Sequence, residues 1–80
     1  MAAEDLIAEV AKVIREVLGQ PELAITATTS PEEVPAWDSL AHIQLVLALG
    51  RHFGVKFTTA EVLEWSDVGS IADCVANKRQ

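Results

Sequence analysis

The chain has 80 residues, half of them hydrophobic, and a formal net charge of −6. That length suits one small domain, and that share of apolar residues excludes a disordered chain. Repulsion from phosphate argues against nucleic acid as a partner, no apolar run approaches the length of a membrane span, and the acidic balance suits basic patches on other proteins.

The first segment, about Ala3 to Leu18, repeats Leu6, Val10, Val13 and Val17 at helical spacing. Ile7, Ile14 and Leu18 widen the stripe, and Glu4 and Asp5 suit the positive end of a helix. Gly19 and Pro21 are stop signals. Gln20 to Trp37 is a long connection rich in turn formers and threonine. Within it, Ser30-Pro31-Glu32-Glu33 can start one short turn, and Leu23, Ile25 and Val34 are expected to close the core from the loop. A loop of that length in so small a domain is often functional.

A second helix is expected from Ser39 to His52, ended by Phe53-Gly54. Thr58 and Glu61 have the spacing of a capping box, which opens a short third helix from Thr59 to about Trp65. Ser66 or Asp67 can cap a fourth, Val68 to Asn77, with Val68, Ile71, Cys74 and Val75 on its apolar face and Lys78 and Arg79 at its negative end. The expected fold is all-α, a four-helix bundle with a long first loop and a short third helix, forming a single domain over residues 1–80.

The second helix carries two apolar faces. Stepping about 100° per residue puts Leu45, Val46, Leu49 and Phe53 in one arc, together with His42. Leu40, Ile43 and Leu47 fall on the opposite side, beside Gln44 and Arg51. A helix packed on one side needs only one such face. The second is either covered by the loop or another helix, or it is a partner surface with Ser39 at its head, and the partner reading explains more.

Ser39 has two readings. Asp38 or Ser39 can cap the helix, which is the common use of such residues. Alternatively the hydroxyl carries a covalent group, because free amides and partial positive charge at a helix start accommodate phosphate. The two histidines, at 42 and 52, and the lack of a Gly-x-Ser-x-Gly elbow argue against serine hydrolase chemistry. One cysteine, Cys74, cannot form an internal disulfide. With the acidic, non-signal-like N-terminus, this places the expectation in the cytoplasm. Two histidines and one cysteine dispersed over three regions make no zinc site. Trp37 is expected to pack over the helix start, Trp65 to be core or half-buried, and His42 to be buried and hydrogen-bonded. Cys74 is expected in the core, Glu32 and Glu33 on the solvated surface, and Arg51 and His52 at the favourable end of their helix.

Asp38-Ser39-Leu40, opening an apolar helix midway along an acidic four-helix chain, resembles the acyl carrier protein family. The likeness covers nearly the whole chain and includes the closing SDVGSIADCVANK of residues 66–78. It implies that a separate phosphopantetheinyl transferase, using magnesium, transfers 4′-phosphopantetheine from coenzyme A to Ser39. Asp38 would dock that transferase near the metal. The arm's thiol would hold acyl or aminoacyl units as thioesters for loading ligases and for synthases of fatty acid, polyketide or other specialised biosynthesis. The carrier itself, a monomer, would catalyse nothing. Leu40, Ile43, Leu47 and Arg51 would meet partners, and Val62 and Leu63 would bound an acyl cavity or docking site.

The departures from the family pattern carry information too. Main-pathway carriers place acids along the second helix where this chain has Ala41, Gln44, Gly50 and Arg51. Trp37 replaces the usual glycine-rich lead-in, which is closer to dedicated stand-alone carriers. These point to a specialised member. The alternative from another class is an unmodified helical protein–protein interaction module using Leu40, Ile43 and Leu47.

Overall fold

The computed structural model describes residues 3–78. Arg79 lies outside them, as does the side chain of Glu4. The described residues form four α-helices: α1 (Ala3–Leu18), α2 (Ser39–Phe53), α3 (Thr59–Leu63) and α4 (Val68–Lys78). A single 3-10 turn, Pro31–Glu33, interrupts the first connection, and no strand occurs among the described residues.

α1 is the central element and packs against both α2 and α4. Its buried face is Leu6, Val10, Val13 and Ile14. Leu45 and Leu49 of α2 meet it from one side, and Val68, Ile71, Ala72 and Val75 of α4 from the other. The loop contributes Val34 and Trp37, both 5% exposed, with Leu23 and Ile25 partly buried. Each fully buried aliphatic side chain stabilises the fold by about 1.5–3 kcal/mol. The largest fully buried side chains are seven, Val10, Ile14, Leu45, Leu49, Val68, Ile71 and Val75, all from α1, α2 and α4.

Helix ends follow from local chemistry. Gly19 (φ +67°) and Gly54 (φ +68°) take the left-handed conformation that terminates α1 and α2 without steric cost. α2 runs one residue beyond the expected His52 because Phe53 still packs on the core before Gly54 turns the chain. The Thr58 capping box forms: Glu61 Oε1 accepts the Thr58 amide at 2.8 Å and Thr58 Oγ1 accepts the Glu61 amide at 3.2 Å. α3 stops at Leu63 instead of reaching Trp65. The Glu64 and Trp65 amides bond three residues back, to Glu61 and Val62, which tightens the last turn and swings Trp65 inward.

The long loop is pinned near its start and at its middle. Arg15 Nε donates to the Leu23 carbonyl at 2.7 Å. The Val68 and Gly69 amides, left without partners at the start of α4, donate to the Thr29 and Ala27 carbonyls at 2.9 and 2.7 Å. Asp67 caps the same helix, accepting the Ser70 amide and the Ser70 hydroxyl at 2.8 Å each, and these two bonds hold its carboxyl below the usual range.

Two expectations for α4 change. Cys74 is half-buried, not core; the fourth inward position belongs to Ala72, which completes the 68, 71, 72, 75 stripe. Lys78 does more than lie at the negative end of α4. It forms an ion pair with Glu61 at 2.8 Å, tying α4 to α3.

Candidate functional site

The site is the start of α2. Asp38, in extended conformation, is the N-cap, and its Oδ1 accepts the Ala41 amide at 2.8 Å. Ser39 is therefore the first residue of the helix and is not needed as a cap. Its side chain is exposed and its hydroxyl makes no hydrogen bond among the described residues. The amides of the first turn and the helix dipole present partial positive charge beside that hydroxyl.

Beneath the serine lies an aromatic platform. Trp37 Nε1 donates to His42 Nδ1 at 3.1 Å, and the two rings stack with centroids 6.2 Å apart. Trp65 meets His42 edge-on at 5.9 Å and Phe57 edge-on at 5.0 Å. Trp37 is buried as expected, whereas His42 is half-buried rather than enclosed. The position of His42 at the margin of the core arc leaves part of its ring toward an open groove. Desolvation holds its pKa below the ordinary histidine value. Because Nδ1 accepts from Trp37, the neutral ring carries its proton on Nε2.

The groove beside Ser39 has a volume of about 590 Å³. Pro31, Asp38, Ser39, Ile43 and the Trp37–His42–Trp65 cluster line it. Trp65 Nε1–H is buried and has no acceptor. A buried donor left in this state is costly. The significance of Trp65 was not visible in the sequence, since its approach to His42 depends on the early end of α3.

The exposed face of α2 is continuous. Leu40, Ile43 and Leu47 are 65%, 61% and 60% exposed, and neither loop nor helix covers them. Leu63 on α3 is 80% exposed, while Val62 beside it is partly buried. Arg51 is exposed at the far end of α2; His52 Nε2 instead pairs with Glu9 of α1 at 2.8 Å. Glu32 and Glu33 are exposed, and Glu33 also accepts the Ser30 amide at 2.8 Å.

A capped helix offering a free serine beside a groove, on a small four-helix bundle, defines a carrier domain. The chain belongs to the acyl carrier protein family: the model of the phosphopantetheine attachment site matches residues 8–75. An acyl carrier protein of Acidothermus cellulolyticus is 30% identical over 77 residues, 96% of this chain and 92% of that one. The solution NMR structure of the holo acyl carrier protein from Geobacter metallireducens superposes with a TM-score of 0.85 at 32% identity, covering 91% of this chain and 84% of that one. The prosthetic group of such a carrier is 4′-phosphopantetheine, and the residues here fit it. The hydroxyl is free, the helix start suits a phosphate, and Trp65, whose buried indole N–H has no acceptor, is among the residues lining the groove. No helix among the described residues is long and apolar enough to cross a membrane.

Proposed function

We propose that Ser39 is the attachment point of 4′-phosphopantetheine and that residues 1–80 act as a single, monomeric, cytoplasmic carrier domain. The observation that carries this reading is the division of labour at the start of α2. Asp38 caps the helix, so the Ser39 hydroxyl is exposed and free to attack. A phosphopantetheinyl transferase modifies Ser39, with Asp38 beside it as the docking carboxylate. When bound, the group supplies a thiol on a flexible arm that holds acyl or aminoacyl units as thioesters. The chain performs no catalysis itself; tethering raises the local concentration of cargo for partner enzymes.

Leu40, Ile43, Leu47 and Arg51 form the partner face. Acids are absent from α2 beyond its cap, unlike the main fatty acid carriers, which supports a specialised role outside the housekeeping pathway. Intact mass after co-expression with a broad-specificity transferase tests the central assignment. A phosphopantetheine adduct in the wild type that vanishes in Ser39→Ala is expected. A folded wild-type protein that takes no adduct overturns it and leaves the unmodified interaction module.

A further inference from the structure

The charge of this chain is segregated. From Ser39 to Ala60 there is no aspartate or glutamate, and all 12 acidic residues lie outside that stretch. Arg51 and Lys56 lie inside it, giving a cationic segment in a chain of net charge −6. Both side chains are exposed, and neither has an ion pair among the described residues, whereas His52 and Lys78 are engaged with Glu9 and Glu61.

Arg51 and Lys56 flank a built feature. The Gly50 carbonyl accepts the Val55 amide at 3.0 Å, which folds residues 54–57 back along α2. The approach is close enough that a Cβ on Gly50 would lie 2.9 Å from the Val55 carbonyl oxygen. Between the helix and this returning segment runs a groove of about 470 Å³. Val46, Leu47, Val55 and Phe57 supply apolar lining, and Arg51 and Lys56 are the charged groups in it. Leu47 connects it with Ile43 and Leu40, so one apolar track leads from Ser39 to the cationic end.

We propose that this groove docks an acidic segment of a partner enzyme, an apolar side chain seated among Val46, Val55 and Phe57 with flanking carboxylates on Arg51 and Lys56. The proposal rests on the reading of the chain as a carrier that visits partner enzymes. Charge complementarity selects the partner: a basic segment, which the rest of the molecule attracts, is repelled here, and an acidic one is held in register. The two cations act at the rim, where they govern encounter and orientation, while the groove supplies apolar contact.

The test uses two helical peptides with the same leucine face, one flanked by glutamates and the other by lysines, titrated into the ¹⁵N-labelled full chain before and after phosphopantetheinylation. The glutamate peptide is expected to shift the amides of residues 46–51 and 55–57 and to bind about tenfold more tightly than the lysine peptide, as two rim charge pairs allow. Arg51→Glu with Lys56→Glu should reverse that preference, and Arg51→Gln with Lys56→Gln, which keeps the fold without adding acid, should abolish it. Equal or tighter binding of the lysine peptide, shifts elsewhere on the molecule, or no binding of either peptide overturns the proposal. Concentration-dependent shifts at the same amides in the protein alone assign the groove to a second copy and overturn it as well. Intact mass reports separately whether Ser39 carries its adduct, so failure of the groove and failure of the carrier assignment are read apart.

Discussion

Asp38 Oδ1 accepts the Ala41 amide at 2.8 Å, so the carboxylate next to Ser39 is already committed to the helix. Asp38→Ala should cost about 1 kcal/mol in urea unfolding, whereas Asp38→Asn keeps an oxygen for the cap and should cost only a few tenths. If the carboxylate also docks the transferase, Asp38→Asn will still slow modification of Ser39 in a mass-spectrometric time course. The pair of variants thereby separates capping from docking.

Two leucines of α2, two residues apart, should answer oppositely to truncation. Leu49 is fully buried, and Leu49→Ala should destabilise by about 2–5 kcal/mol. Leu47 lies mostly in solvent, and Leu47→Ala should change stability by less than about 0.5 kcal/mol. Chemical denaturation of both checks the assignment of the inner and outer faces.

Gly50 is needed for its missing side chain. Gly50→Ala raises helix propensity, but the new methyl meets the Val55 carbonyl oxygen at 2.9 Å. The clash should win, with a loss of about 1–3 kcal/mol and displaced Val55 and Lys56 amide resonances. A stabilised variant with unchanged resonances would contradict the close approach.

His42 ties stability to pH. Its folded pKa lies below the ordinary histidine value of 6.5 because burial disfavours the charged ring. The folded state resists a proton that the unfolded chain accepts. Its contribution is thus whole above 6.5 and is lost as pH falls from 6.5 toward the depressed folded value. The unfolding free energy of the wild type should decline over that window more steeply than that of His42→Gln.

Glu61 gives the corresponding effect in acid. The Lys78 side chain and the Thr58 amide hold its carboxyl down at about 2, against an ordinary value of 4.5. Stability from this contact is present above 4.5 and disappears as pH drops through about 2. Glu61→Gln should flatten that part of the acid unfolding curve, followed by circular dichroism.

Periodicity sufficed for the four helices because each buries a stripe on α1 or is opened by a local signal such as Thr58 and Glu61. The two faces of α2 were legible in outline, since Leu40, Ile43 and Leu47 step to the side opposite Leu45 and Leu49, but Val46, expected on the core arc, lines the groove at Gly50, and Ala41 is buried instead. What periodicity could not place were features set by tertiary approach. Cys74 sits one step off the buried stripe, and Ala72 fills its place. Choosing between Asp38 and Ser39 as the cap required the backbone angles. The Trp37–His42–Trp65 cluster required α3 to end early, and the groove at Gly50 required a returning segment that no local pattern announces.

α2 is a single unbroken rod from Ser39 to Phe53. Twelve steps of about 1.5 Å separate Ser39 from Arg51, so if Ser39 bears the load and Arg51 is the handle, the two stand about 18 Å apart at a spacing the backbone keeps constant. On that reading, an enzyme that holds Arg51 leaves Ser39 unobstructed. Cargo can therefore be presented at a fixed reach without the holder releasing its grip.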